Sequence, residues 1–398
     1  MKYLEFLRYT LEGERAVPEG LDQIDWEGLY RFAEQQSIVG VMFEGVQRLG
    51  SNAAIPRPLL MQWVGCAQQI EARNAQLNRV CVELAEMLRQ EGFECCILKG
   101  QGNALMYPNP YSRTSGDIDV WVRGERGEKY SVESLEFRDT LRWLGGERCE
   151  VREVIRWVRE RNPKGKACYH HIDYGEFKGV EVEVHYRPSF MNNLIHNKRL
   201  QRWFEEQAEE QFAHQVELPD GTGSICVPTR EFNIIYQLSH IYNHVLHEGI
   251  GLRQVVDYYF LLRGERCEVR GVMEEVRGER GVKFRVESLE FRDTLRWLGL
   301  EAFAGALMWV LSEVLGLEEE YLIAPMDERL GRVLLSEIMR GGNFGQYDEQ
   351  NIKADSPLKK NWQRICRDFR MMRYFPSECL WEPLFRIWHF FWRIFRVE

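Results

Sequence analysis

Three short strand-like segments lie close together in a chain whose remaining sequence keeps a helical period. Any sheet is therefore small and central. FECCIL at 93–98 is a mostly apolar run of the kind a buried strand shows. DIDVWV at 117–122 and KGVEVEVHYRP at 178–188 alternate charged and apolar side chains, the period of a half-buried strand. Before them, Leu4, Leu7 and Leu11, then Leu29, Phe32, Ile38 and Val41, keep helical spacing, and a long helical run opens at IPRPLL and closes at Gly92. After Asn192 the helical period returns, broken by VELPDGTGSICVP at 216–228, which reads as a hairpin or loop. The spacing predicts an α/β core over about 75–190 with helical regions on both sides.

At 398 residues the chain is too long for one compact core, and two or three domains are the natural expectation. Fifty-two Lys plus Arg against sixty-one Asp plus Glu leave a formal net charge of −9, so no global field recruits nucleic acid, and there is no DNA-binding signal. The ten cysteines form no CxxC pair and read as reduced thiols. Charges interrupt MKYLEFLRYTLEGER, and nowhere do 18 uncharged apolar residues run together, so no transmembrane segment and a cytoplasmic location are expected.

The segment VESLEFRDTLRWLG occurs at 132–145 and again at 286–299, and GERCEVR occurs at 146–152 and 264–270, in a different order. A solenoid needs a fixed period. The repeats are therefore read as translated mobile sequence, making 124–150 an inserted segment and 264–299 its second copy. A duplicated helix with a shared role is the alternative.

In a strand, residues i and i+2 share a face roughly 6.6 Å apart along the chain. Asp117 and Asp119 therefore point together, and two like charges so placed favour a cation between them. Hard oxygen donors suit Mg²⁺. Glu181, Glu183 and His185 share one face of the later strand, and one carboxylate from it would complete a site for two ions about 4 Å apart. Upstream, Lys99 and Gly100 stand where a strand gives way to a turn, so backbone N–H groups and an ammonium can meet a phosphate. Arg113 could clamp the same group bidentately.

Plainer readings exist for each feature. An isolated DxD can be a solvated edge, Glu181 suits the surface, and His185 suits a supporting or core role. His240, His244 and His247 recur on one helical face, a spacing that could ligate zinc in a hydrolase. Alternatively that face lines a nucleotide cleft, with Arg253 and Asp257 as a supporting pair one turn apart. The aromatic stretch LWEPLFRIWHFFWRIFRVE fits a packed terminal helix, or contact with a membrane surface or partner through 380–396.

The motifs ILKG, YPNPYSRTSGDIDVWV, VEVEVHYRP and HIYNHVLHEGIGLRQVVDYYFLL resemble the bacterial uncharacterised nucleotidyltransferase family of the DNA polymerase β superfamily, over about 95–260. The resemblance implies an α/β (α+β) nucleotidyltransferase core with a small mixed sheet, flanked by N- and C-terminal mainly helical regions. The corresponding boundaries are 1–74, 75–190 and 191–398. It also implies Mg²⁺-dependent transfer of a nucleoside monophosphate from an NTP, ATP by default, to an unidentified acceptor, with release of pyrophosphate. Two Mg²⁺ ions are expected. Asp117, Asp119 and Glu183 would hold the metals, and Glu183 would deprotonate the acceptor. On the family pattern Gly100 would lie at the nucleotide loop; Lys99, Arg113, His185, His244 and Arg253 are expected to face the nucleotide from the reading of the residues above. Gly100-Gln101 stands where the superfamily has Gly-Ser. The alternative is a catalytically inactive binding or scaffold protein with the same fold.

Overall fold

The computed structural model describes residues 2–13, 17, 24–50, 54–124, 149–264, 289–343 and 357–394. Helices α1 (Lys2–Leu11), α2 (Trp26–Gln35) and α3 (Val39–Leu49) precede the 34-residue α4 (Arg57–Gln90). Then come β1 (Phe93–Leu98), the single-turn α5 (Gly100–Ala104), β2 (Ile118–Gly124), α6 (Cys149–Arg161), β3 (His171–Phe177) and β4 (Val180–His185). Helix α7 (Leu194–Ala213) leads to the small hairpin β5 (Gln215–Glu217) and β6 (Ser224–Cys226), as the sequence 216–228 allowed. Helices α8 (Arg230–His247), α9 (Leu252–Arg263), α10 (Leu289–Leu298), α11 (Glu301–Trp309), α12 (Glu328–Gly341), α13 (Pro357–Met372) and α14 (Pro376–Trp392) complete the chain.

The main sheet has four strands in the order β1-β2-β4-β3, one more than the sequence suggested. Strand β2 runs antiparallel to β1 and parallel to β4, and β3 runs antiparallel to β4, so the sheet is mixed. The strand missed was β3. Its sequence HIDYGEF lacks clean alternation, and its pairing shifts between Asp173 and Gly175, where Gly175 adopts φ +89°.

Alternation sorts the sheet's two faces. Val120, Val122, Val180, Val182 and Val184 join Leu77, Val80, Leu84 and Leu88 of α4 and Val154, Ile155 and Val158 of α6 in one core. Trp121 faces the other way, into a larger core shared by helices from both ends of the chain. Helix α4 continues unbroken through the boundary expected at 74–75, and its burial serves both cores. The N- and C-terminal helical regions thus build one interior.

Of the repeated segments, 132–145 lies outside the described residues, while residues 289–298 of the second copy form α10. Val151, from the first GERCEVR copy, is buried against the sheet. Helix α14 buries Cys379, Phe385 and Trp392 but leaves Leu380, Leu384, Ile387 and Phe391 exposed. Among the described residues no single helix is long and apolar enough to cross a membrane.

Candidate active site

Parallel pairing of β2 with β4 sets Asp119 directly opposite Glu183. Asp117 lies one residue before β2 begins. One carboxylate oxygen from each of Asp117, Asp119 and Glu183 falls within 4.8 Å of the others. Glu181, two residues earlier on β4, is exposed and outside this group.

Asp119 is buried and already engaged at both oxygens. Lys99 Nζ lies 2.9 Å from Oδ2, and His185 Nε2 lies 2.9 Å from Oδ1. Burial would raise its carboxyl, but the Lys99 charge and the His185 hydrogen bond hold it well below the usual carboxylate range. Asp117 shifts the opposite way, pushed up first by the charge on Asp119 and then by burial. Glu183 is half-buried and, against burial, is drawn down by its hydrogen bond with His185. The group therefore holds crowded negative charge that the Lys99 ammonium and the imidazoles of His185 and His171 compensate in part.

Lys99 reaches Asp119 from a sharp turn between β1 and α5. Its backbone sits at φ +51°, ψ −130°, outside the ordinary regions for a non-glycine residue, and Gly100 follows at φ +40°. The same ammonium lies 3.0 Å from His240 Nε2 on α8. Gln101 does not present a polar group to the acids. It is buried, donating to Asn78 Oδ1 and accepting from Ser115.

Arg113 is not placed over an anion site. It is 4% exposed, and its Nε and Nη2 donate to Asp257 Oδ1 and Oδ2 at 2.7 and 2.8 Å. Tyr107 donates a further bond to Oδ1 at 2.5 Å. The guanidinium is spent on fixing the loop before Asp117, which corrects the expected phosphate clamp. Asp257 accordingly makes its ion pair with Arg113, while Arg253 donates to the Thr114 carbonyl at 3.1 Å. Asn74 on α4 completes the framework by donating to the carbonyls of Tyr111 and Arg113.

A cavity of about 610 Å³ opens beside the acids. Its wall includes six histidines, His170, His171, His240, His244, His247 and His389, with Phe190, Phe385 and Arg386 among its other residues. Two of these imidazoles touch the acid site directly: His171 Nδ1 is 3.4 Å from Glu183 Oε2, and His240 meets Lys99. On α8, His240 and His244 face each other with Nε2 atoms 2.9 Å apart. His247 turns instead to Asn192 Nδ2 at 3.4 Å, so the three do not converge as a zinc triad. Sequence reasoning missed His170 and His171. The available signal was the CYHH run immediately before an interrupted strand.

The family model for the uncharacterised nucleotidyltransferases matches residues 22–278, well over half the chain. The chain belongs to that family. No curated protein matches it. Among solved structures, an antigenic nucleotidyltransferase-like protein from Paracoccidioides brasiliensis is similar at 13% identity, over 64% of this chain and 96% of that one, with a TM-score of 0.32. Family membership supports the transferase class and use of an NTP. In this member of the family the acid group lies between the sheet and α8, against the histidine-lined cavity.

Proposed function

We propose that this protein is a Mg²⁺-dependent nucleotidyltransferase of the polymerase β type, moving a nucleoside monophosphate from an NTP to an acceptor and releasing pyrophosphate. The observation that carries this reading is the convergence of Asp117, Asp119 and Glu183 from two parallel-paired strands. Their donor set is all oxygen, which suits Mg²⁺. The upward push that Asp119 exerts on Asp117 is like-charge crowding of the kind a divalent cation relieves. These three residues would hold the metal, which when bound supplies charge neutralisation at the triphosphate and a more acidic acceptor oxygen.

The chain's own groups divide the remaining work. Glu183, half-buried and with its carboxyl drawn down, would accept the acceptor's proton. Lys99 supplies positive charge at Asp119, and His185 orients the Asp119 carboxylate through its 2.9 Å contact. His244 and Arg253 belong to the helices beside the acids, and Gly100 shapes the turn that presents Lys99. The cavity has the size of a small organic molecule, which favours a small acceptor over a nucleic-acid end.

Incubation with Mg²⁺ and each α-labelled NTP tests this directly. The wild type should transfer label and release pyrophosphate, and an Asp117→Ala, Asp119→Ala double variant should not. Equal turnover in the two proteins, or none in either, would sink the reading. His185→Gln is expected to weaken Mn²⁺ binding about 10–100-fold, as loss of a ligand-orienting partner does, measured by electron paramagnetic resonance. A second reading, a non-catalytic binding protein with this fold, draws support from Lys99 and His185 already engaging both oxygens of Asp119. It predicts saturable NTP binding without pyrophosphate release.

A further inference from the structure

We propose that Cys168, His170 and His171 form a separate site for a zinc-like transition-metal ion on the cavity wall, beside the acid group and independent of the transferase reading. A sulfur and one nitrogen from each ring lie within 4.8 Å of one another. Cys168 Sγ is 3.3 Å from His170 Nδ1, and His170 Nε2 is 3.0 Å from His171 Nδ1. Those two contacts use opposite nitrogens of the His170 ring, so for one nitrogen per ring the bound is 4.8 Å, and the donors must close from at most that distance to the roughly 3.3–3.6 Å that bonds of about 2.0–2.3 Å at tetrahedral angles set. An ion takes a single nitrogen from each ring.

Donor chemistry separates this site from its neighbour. One thiolate and two imidazoles select zinc or a similar ion, while three carboxylates select a hard cation such as Mg²⁺. The two groups meet where His171 Nδ1 approaches Glu183 Oε2 at 3.4 Å.

The backbone that carries the donors is pinned. Cys168 N donates to the His171 carbonyl at 2.9 Å, and both Tyr186 N and Arg187 N donate to the His170 carbonyl at 3.0 and 3.1 Å. Arg187 Nη1 donates to the Tyr169 carbonyl at 2.7 Å, and the Tyr186 hydroxyl donates to the Cys168 carbonyl. A bend held this way presents its side chains with little freedom left to lose on binding. All three donors line the cavity, so three protein ligands would leave one coordination position open, the arrangement of zinc sites that accept water or a small molecule.

Titration of the metal-stripped full-length chain with Co²⁺ tests the site without any activity assay. One equivalent should give thiolate-to-cobalt charge transfer and the visible bands of a four-coordinate ion, displaced by Zn²⁺ but not by Mg²⁺. Cys168→Ser should abolish the charge transfer, and the Asp117→Ala, Asp119→Ala variant should retain it. A second measurement uses the wild type alone, so it does not depend on a variant folding. With Zn²⁺ at about ten times its Kd, iodoacetamide labelling of Cys168 should slow about tenfold. The exposed Cys366 serves as internal control and should label unchanged. Absent charge transfer, charge transfer that survives Cys168→Ser, displacement by Mg²⁺, or Zn²⁺-insensitive labelling of Cys168 would overturn the proposal.

Discussion

Asp257→Ala is expected to lower the free energy of unfolding by about 3–5 kcal/mol, the usual cost of breaking a buried ion pair from one side. The variant strands the Arg113 guanidinium, which is buried with Asp257 as its two-point partner, and removes the acceptor of the Tyr107 hydroxyl. Urea denaturation followed by circular dichroism gives the number. Arg113→Lys should lose a substantial part of the same energy, because an ammonium cannot serve both carboxylate oxygens in the fork geometry. A loss under about 1 kcal/mol for Asp257→Ala would show that the pair contributes no more than a surface one.

The pair also sets an acid limit. Burial pushes the Asp257 carboxyl up, yet the Arg113 charge and hydrogen bonds prevail and its folded-state pKa lies below the ordinary value. The unfolded chain therefore takes up the proton first as pH falls. The contribution is fully present above about pH 4 and is lost as pH drops through the folded-state value. The wild type should lose stability across that interval more steeply than Asp257→Asn, which has no carboxyl there to titrate.

Lys99→Met should be destabilised by about 3 kcal/mol in EDTA, since it leaves the buried Asp119 with His185 as its remaining compensating partner of the two described. A divalent cation can then supply the charge that Lys99 gave. Adding Mg²⁺ or Mn²⁺ should raise the thermal midpoint of the variant more than that of the wild type, because binding to the folded state stabilises in proportion to RT ln(1 + [L]/Kd). Methionine keeps an unbranched stem at the strained turn, so the backbone cost is comparable in both proteins. Equal stability in EDTA, or an equal cation response, would contradict a carboxylate site that trades one positive charge for another.

Much of the acid site was legible because a strand has a period of two. The DxD spacing and the alternation through Glu183 and His185 placed these side chains on common faces before any contact was known. The fate of Arg113 was not legible. Its partner lies 144 residues away, and the local spacing of Arg253 and Asp257 gave no sign of the fork that Arg113 makes with Asp257. His170 and His171 were hidden for another reason. The strand that His171 opens, and His170 immediately precedes, is interrupted at Gly175, so its pattern did not place it beside β4, where His171 stands opposite His185. The helical flanks were legible as helices, but nothing in their periodicity showed that both ends of the chain build one interior.

Asp119 and Glu183 face each other as rungs of one ladder, so their separation is fixed by the spacing of neighbouring strands and not by the length of chain joining them. Sequence could be gained or shed after Gly124 over evolutionary time without altering the distance between the two acids. A joint of that kind tolerates genomic accidents that would ruin an enzyme whose reactive groups were spaced along a single loop.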